Sequence, residues 1–414
     1  MARASTHPRS CGLKHRGFGR RFALLLMPLL VVGCAWGSSS ETRTGDRAVP
    51  DPDASENVTF YPTYGYLEDD EWVVPVRYWV WEDRGLVSRV VTRVASSMAG
   101  LEPQQVETFR HRLRPFSGDS EWRQRVTFVF EDDPLGQEYQ VLDERGRAPR
   151  TDRNGVVEGK VRIPAQRAEE LLAAQGSQGG WLRWEAVSRD HSGTGQAILV
   201  PSEGTSVISD IDDTIRITEI PAGWSVAVRN TFFDEFREAP GMPELYQEWD
   251  GEGDVLFHYV SGTPWQMYES LSEFLFHEET GYPEGTMHFR TVRKNLVSIS
   301  TWRDLRSLVS AGAETADRKY EVIAGMMEDF PDRTFRLVGD TGEGDPEIYR
   351  SLARRFPGQV EEIVIRDITD DRTLRPERLE GMTVIPAETI ERATGPDAIV
   401  ADLRWQPQSV RVLW

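Results

Sequence analysis

Residues 207–214 read VISDIDDT, a short apolar run followed by three carboxylates and a hydroxyl group. Val207 and Ile208 are typical of a buried strand, and Asp210 and Asp212 lie two positions apart in the segment that follows. Side chains two positions apart in an extended chain lie on the same side of it. The pattern therefore predicts that both carboxylates face one site at the end of a strand.

Around this motif the chain alternates between strand and helix patterns. Further apolar runs of strand length occur at 255–260, 335–338 and 363–365, and apolar residues recur at helical spacing over 265–275 and 320–330. Alternation of this kind is typical of a parallel sheet that is covered by helices on both faces. We therefore predict an α/β fold for this part of the chain.

The preceding segment has the composition of a β-rich domain. Runs at 72–81, 126–130 and 181–187 are rich in β-branched and aromatic residues, and Asn154-Gly155 is a hairpin signal. Two helical patterns, at 86–98 and 103–113, interrupt the strands. We predict an antiparallel, β-sandwich-like domain with helical insertions.

The length of 414 residues predicts about two or three domains at roughly 100–200 residues each. We divide the chain into an N-terminal targeting segment (1–33), a flexible tether (34–56), the β-rich domain (57–203), the α/β domain (204–370) and a C-terminal extension (371–414).

Charge and cysteine content exclude several classes of protein. The formal charge is −19, and domains that bind nucleic acid through its phosphates are usually basic, so we predict no nucleic-acid partner. Two cysteines provide neither a disulfide framework nor a cysteine-based zinc site.

The N-terminal targeting segment resembles the signal peptide of an exported lipoprotein. Residues 1–33 contain six basic residues and no acidic one, and the apolar run at 22–32 is shorter than the roughly 20 residues of a membrane-spanning helix. The run ends in Val31-Val32-Gly33-Cys34, which resembles the bacterial lipobox, where the cysteine is lipidated. An ordinary signal peptide or an uncleaved anchor is the alternative.

Three further polar signals follow the motif at 207–214. Ser261-Gly262-Thr263 comes after the second strand, Lys319 lies near the start of a helix, and residues 339–345, GDTGEGD, come after the third strand. Ligands of open parallel sheets bind at the carboxyl ends of the strands. We therefore expect these residues to converge there with Asp210 and Asp212.

The residue types suit phosphoryl transfer. Carboxylates such as Asp340 and Asp345 provide the oxygen ligands that Mg²⁺ takes, and a carboxylate can also attack phosphorus. The hydroxyl and neighbouring N–H groups of Ser261 can bind phosphoryl oxygens, and Lys319 can offset the charge of the transferred group.

Each signal also has a structural alternative. The DxDxT pattern occurs as a turn or helix cap, Ser261 can cap a helix, and an isolated lysine is usually solvated. Asp345 before Pro346 is a good helix start, and acidic glycine-rich loops can bind calcium. Because all four signals arrive in order, each at a strand end or a helix start, we interpret them as one site.

This constellation resembles the haloacid dehalogenase superfamily of phosphotransferases. It resembles more narrowly the actin-patch-type phosphatidate phosphatase family, whose members are relatives of the lipins. The stretches that carry the resemblance lie at 207–215, 230–232, 240–242, 259–268, 338–349 and 365–367. The resemblance covers about residues 200–370, and it is weaker in the β-rich segment, where it rests on TDRNG at 151–155.

The resemblance implies roles for three catalytic residues. Asp210 would be the nucleophile and also a Mg²⁺ ligand. Asp212 would protonate the leaving alkoxide and then activate water against the aspartyl-phosphate, with its backbone carbonyl touching the metal. Lys319 would stabilise the nucleophile and the transferred group.

The resemblance also implies binding roles. Thr214, Ser261 and Gly262 would bind phosphoryl oxygens or orient the loop. Asp340 would ligate Mg²⁺, and Asp345 would support the metal directly or through a neighbouring ligand. The expected cofactor is therefore Mg²⁺.

The resemblance implies a hydrolase, with phosphatidate as the substrate and diacylglycerol and phosphate as the products. A lipid anchor at Cys34 would hold such an enzyme at a membrane of the bacterial cell envelope, near its substrate. The alternatives are a phosphatase of soluble phosphomonoesters, a phosphatidate-binding lipoprotein without turnover, and a structural calcium-binding lipoprotein.

The lipobox predicts that Cys34→Ser releases the protein from membranes, because the substitution removes the thiol that would carry the acyl chains. Fractionation of cells that express the wild-type or variant chain measures this release. Membrane attachment that persists in Cys34→Ser would contradict the lipobox.

Overall fold

The computed structural model describes residues 56–82, 101–291, 305–309 and 313–387, together with Val91 and Val94. The predicted signal peptide, almost all of the predicted tether and most of the predicted helix at 86–98 lie outside these ranges. Within them, no helix combines the length and the apolar character needed to cross a membrane.

The N-terminal part is rich in strands, as predicted. Its strands are β1 (Glu56–Phe60), β2 (Thr63–Glu68), β3 (Glu71–Glu82), β4 (Asp119–Ser120), β5 (Phe128–Phe130), β6 (Glu138–Tyr139), β7 (Val156–Pro164), β8 (Trp181–Ala186), β9 (His191–Ser192) and β10 (Thr194–Leu199). Two helices accompany them, α1 (Pro103–Ser117) and α2 (Ala165–Ala174). Helix α1 confirms the pattern at 103–113.

Hydrogen bonds connect these strands in the order β6-β5-β8-β10-β2-β3-β1-β9, with β4 and β7 also paired to β3. Most pairs are antiparallel, but β1 pairs with β9 and β10 pairs with β2 in parallel. Because β2 links the two groups of strands into one continuous path, the two separate sheets of a sandwich are not confirmed.

The C-terminal part alternates strands and helices. Its strands are β11 (Thr205–Ser209), β12 (Val255–Pro264), β13 (Gly285–Arg290), β14 (Thr334–Asp340), β15 (Val360–Asp367) and β16 (Thr383–Pro386). Its α-helices are α3 (Trp224–Phe232), α4 (Met242–Asp250), α5 (Tyr268–Leu275), α6 (Arg306–Val309), α7 (Ala313–Asp329), α8 (Asp345–Arg355) and α9 (Asp371–Leu374).

The six C-terminal strands form one parallel sheet in the order β13-β12-β11-β14-β15-β16. This confirms the parallel sheet, and the order is that of a doubly wound sheet. The switch point of the order lies between β11 and β14, where such sheets bind ligands. Strand β16 comes from the segment that we predicted as a C-terminal extension.

Helices cover both faces of the parallel sheet, as predicted. On one face Val207 and Val338 pack with residues of α3, α4 and α5. On the other face Ile208 and Leu337 pack with residues of α7 and α8. The alternation of side chains along each strand explains why these runs are apolar throughout.

Helix α1 belongs to the β-rich part but packs on the C-terminal part. Phe109 stacks on Phe233 with ring centroids 4.4 Å apart, and the Gln105 side chain donates a hydrogen bond of 2.6 Å to Asp234. Aromatic residues of both parts enter one hydrophobic core. The chain therefore joins its two parts through a shared core.

We predict that Phe109→Ala lowers the free energy of unfolding by about 3–5 kcal/mol, because it leaves a cavity beneath a fully buried ring. Leu135→Ala is the matched control, since Leu135 is 70% exposed, and it should cost less than about 0.5 kcal/mol. Denaturant unfolding measures both values. Equal losses would contradict the shared core.

Candidate active site

Asp210 begins the segment that leaves β11 at the switch point of the sheet. Its backbone N–H donates a 2.9 Å hydrogen bond to the carbonyl of Val338 in β14, so the chain stays attached to the sheet here. The chain then turns sharply, because Asp213 adopts a left-handed conformation with φ 57°. The carboxylates of Asp210 and Asp212, which precede this turn, lie in separate surroundings.

Three buried carboxylates converge at this point, those of Asp210, Asp340 and Asp345. One oxygen of each lies within 4.8 Å of the other two, and each residue is at most 1% exposed. Asp340 ends β14 and Asp345 begins α8, and the N–H of Asp340 donates to Asp345 over 3.3 Å. The structure thus brings together three of the residues that the sequence predicted.

Gly339 makes the approach of Asp345 possible. A β-carbon at position 339 would overlap the carboxylate of Asp345, so only glycine fits there. The first glycine of the GDTGEGD stretch is therefore required because Asp345 packs directly against it.

Lys319 of α7 lies against two of the three carboxylates. Its Nζ is 2.9 Å from Asp210 Oδ1 and 2.5 Å from Asp345 Oδ1. Burial alone would lower the pKa of Lys319, but the two carboxylates raise it well above its ordinary value, so the ammonium group stays charged. When all three carboxylates are ionised, the single ammonium group leaves two negative charges unbalanced within this group of four residues.

The donor set fits a divalent cation of the Mg²⁺ type. Buried carboxylate oxygens are hard ligands, and unbalanced buried negative charge is costly unless a cation neutralises it. Burial raises the pKa of Asp210 and of Asp340 well above the usual range, and neighbouring carboxylates add to the effect. Asp210, Asp340 and Asp345 are the residues that would hold the cation.

The side chain of Asp212 stands apart from this group. It accepts hydrogen bonds from Thr263 at 2.6 Å, Thr218 at 2.7 Å and Ser261 at 3.1 Å, and it also pairs with the guanidinium of Arg216. Burial raises the pKa of Asp212, but Arg216 and the hydroxyl donors outweigh it and lower the pKa to about 2. Metal contact through its backbone carbonyl stays a prediction.

The predicted phosphate-binding residues lie beside these carboxylates. Thr214 Oγ1 donates to Asp210 Oδ2 at 3.2 Å and lies 3.5 Å from Asp340 Oδ2. Ser261 contacts Asp212, and Gly262 lines a small cavity with Asp212. A β-carbon at Gly262 would come within 2.7 Å of Thr315 on α7, so the loop approaches that helix closely.

Several residues of the site were not predicted from sequence. Thr218 donates a hydrogen bond to Asp212 and Arg216 pairs with it, but neither position carries a motif of its own. Thr263, in contrast, belongs to the Ser261-Gly262-Thr263 signal. Asp213 accepts hydrogen bonds from the backbone N–H groups of residues 218–220, which holds the loop that carries Thr218. The spacing of four between Asp212 and Arg216 was the one available signal.

A cavity of about 420 Å³ opens beside the carboxylates. Its charged lining residues are Arg306, Lys319, Glu343 and Asp345. Apolar residues such as Trp224 and Ile348 line another part of it. Burial raises the pKa of Glu343 to about 7, opposed by Lys319 and reinforced by Asp345. The cavity therefore combines charged groups of both signs with an apolar wall.

We predict that Mg²⁺ raises the melting temperature of the wild-type chain and that Asp340→Asn removes most of this rise. Ligand binding to the folded state stabilises it, and the variant loses one anionic ligand. Without Mg²⁺, Asp340→Asn should melt at or above the wild-type temperature, because it relieves repulsion among buried carboxylates.

Glu169→Gln is the control, since Glu169 is an exposed acidic residue of α2. It should show the same Mg²⁺ response as the wild type. An equal response in Asp340→Asn would contradict the proposed ligand set. Thermal melts at several Mg²⁺ concentrations measure all three chains.

Comparisons with known proteins concern the C-terminal part. Residues 205–367 match the family model described as "Phosphatidate phosphatase APP1, catalytic domain". Phosphatidate phosphatase APP1 of Saccharomyces cerevisiae is 33% identical over 177 residues, which cover 42% of this chain and 28% of that protein. An uncharacterized protein of Schizosaccharomyces pombe is 29% identical over 177 residues, which cover 42% and 27%.

Among solved structures, a carbohydrate esterase aligns with 85% of this chain and 99% of its own at 10% identity. Its TM-score of 0.21 is too low to show a common fold. The chain spans less than a third of the length of the two yeast relatives. The matches therefore show that residues 205–367 are similar to the catalytic domain of a phosphatidate phosphatase.

Proposed function

We propose that this chain hydrolyses phosphatidate to diacylglycerol and inorganic phosphate, with Mg²⁺ as cofactor and Asp210 as nucleophile. One observation carries the proposal. Asp210, Asp340, Asp345 and Lys319 converge in a buried group, within the segment that is similar to a phosphatidate phosphatase catalytic domain.

In the first step a carboxylate oxygen of Asp210 forms a bond to phosphorus, and the bond between phosphorus and the glycerol oxygen breaks. The glycerol oxygen leaves with a proton from Asp212, and the phosphoryl group stays on Asp210 as an aspartyl-phosphate. Lys319, 2.9 Å from Asp210, holds the nucleophile and offsets the charge of the transferred group.

In the second step water attacks phosphorus and gives a proton to Asp212. The bond between phosphorus and Asp210 breaks, and inorganic phosphate leaves. Because its pKa is lowered to about 2, the resting Asp212 carboxylate is ionised, and only the ionised form can accept this proton. In the first step the incoming negative phosphoryl group favours protonation of Asp212, as a nearby like charge raises a carboxyl pKa.

Mg²⁺ held by Asp210, Asp340 and Asp345 would supply the positive charge that offsets the phosphoryl oxygens. Thr214 contributes a hydroxyl at the nucleophile, and Ser261 and Gly262 lie beside Asp212, where phosphoryl oxygens would enter. The positions of these residues beside Asp210 and Asp212 support the proposed roles.

We extend the proposal to the fold and to location. The strand order and the position of Asp210 at the switch point support a haloacid dehalogenase-type domain. The apolar wall of the cavity suits a substrate with acyl chains. An anchor at Cys34, in a part of the chain outside the described residues, would keep the enzyme at a membrane of the bacterial envelope.

Asp210→Asn and Asp212→Asn should each lower phosphate release from phosphatidate at least about 1,000-fold, because one removes the nucleophile and the other the proton carrier. Release of inorganic phosphate from phosphatidate in mixed micelles, with and without Mg²⁺, measures this loss. Glu169→Gln should retain wild-type activity.

If Asp210→Asn lowers phosphate release only a few-fold, Asp210 is not the nucleophile. A panel of soluble phosphomonoesters tests the substrate in the same assay. Faster turnover of a soluble phosphomonoester than of phosphatidate would contradict the lipid substrate. It would leave the proposed steps through an aspartyl-phosphate unchanged.

A further inference from the structure

Arg216 is an unusual ion-pair partner for a catalytic carboxylate. It is 1% exposed and pairs with Asp212 through Nη2, while its Nε and Nη1 have no hydrogen-bond partner among the described residues. A buried cation whose donors are only partly satisfied is costly to keep, and apolar replacements of buried ion pairs are often neutral or stabilising. A contribution to folding stability therefore does not explain why a buried arginine occupies this position.

Phe236 covers the guanidinium of Arg216. The Cζ atom of Arg216 lies 4.5 Å from the centroid of the Phe236 ring. Two backbone hydrogen bonds fix this contact, from Ile217 N–H to the carbonyl of Arg237 at 2.8 Å and from Ala239 N–H to the carbonyl of Ile215 at 2.9 Å. The segment after α3 thus runs beside residues 215–217 and places the ring of Phe236 against Arg216.

A second buried arginine lies over the same ring. Arg112 of α1, in the β-rich part, has its Cζ atom 3.5 Å from the centroid of Phe236. Its Nη1 donates to the carbonyls of Thr231 at 3.0 Å and Asp234 at 2.6 Å, which fastens α1 to the end of α3. Burial and the nearby charge of Arg216 lower the pKa of Arg112 to about 9, so the two guanidinium groups are close enough to repel each other.

We propose that Arg112 is a positioning residue for catalysis and acts through Phe236 and Arg216 on the carboxylate of Asp212. The proposal rests on the proposed function, because it assigns a role relative to the proton transfers of Asp212. Helix α1 places Arg112 on Phe236, Phe236 confines Arg216, and Arg216 fixes the direction of the Asp212 carboxylate. The β-rich part therefore completes the active site without contacting the substrate.

The contacts predict which kinetic constant changes. Among the described residues, no contact joins Lys319, or the three carboxylates of the cation site, to Arg112, Phe236 or Arg216. The part of substrate binding that Lys319 and the cation site provide should therefore survive disruption of these three residues. Proton transfer by Asp212 should become slower, because displacement of a catalytic group by about 1 Å can cost about 100-fold in rate. The expected signature is a lower kcat with an unchanged KM.

The test compares Arg112→Met, Arg216→Met and the double variant with the wild type in the phosphatidate assay with Mg²⁺. We expect kcat to fall about 10-fold or more in Arg112→Met and about 100-fold in Arg216→Met, with KM within twofold of the wild type. The double variant should be no slower than Arg216→Met, because both substitutions interrupt the same path. Arg112→Lys should recover part of the lost kcat.

Arg110→Met is the matched control on the same helix, since Arg110 is exposed and pairs with Glu107 three residues before it. It should keep the wild-type kcat. Phe236→Leu removes the ring and should reproduce the loss of kcat, which keeps the test valid if Arg112→Met unfolds. Unfolding midpoints of all variants establish that the chains are folded.

Two outcomes would overturn the inference while the wild type remains active. One is a kcat for Arg112→Met equal to that of Arg110→Met, and the other is losses that multiply in the double variant. Inactivity of the wild type towards phosphatidate would instead refute the proposed function and would take this inference with it.

Discussion

The ion pairs of Lys319 with Asp210 and Asp345 are the constraint on which the site depends. Removing an ammonium group and two carboxylates from water is costly, and only close, well-directed contacts recover that cost. These contacts join α7, the end of β11 and the start of α8 at one point. The buried negative charge left over is what makes the same point suitable for a divalent cation.

Much of this arrangement could be predicted from the sequence. The apolar runs that became β11, β12, β14 and β15 are strongly patterned, and residues that follow such runs must meet at one edge of a parallel sheet. Lys319 could be placed through the resemblance, but its approach to Asp210 depends on where α7 packs. The short strands β13 and β16 lack a long apolar run, and they form because the sheet next to them supplies hydrogen-bond partners.

The surroundings of Asp212 could not be predicted in the same way. Arg216 and Thr218 lie in the loop that follows β11, and no periodic pattern sets the path of a loop. Arg112 lies in an amphipathic helix, where an arginine is usually solvated, and its burial becomes evident only when α1 meets α3. Contacts between elements that are distant in sequence determine the burial and the partners of these residues, whereas local sequence patterns determine the strands.

The core shared by α1 and the C-terminal part bears on how the chain can be divided. The segment that is similar to other catalytic domains, 205–367, ends before β16 and excludes α1 altogether. If that segment were excised, Phe233 would lose its stacked partner and β15 would become an unprotected sheet edge, which invites association between chains. The unit recognisable by sequence similarity is thus smaller than the structural unit that the shared core and the complete sheet define.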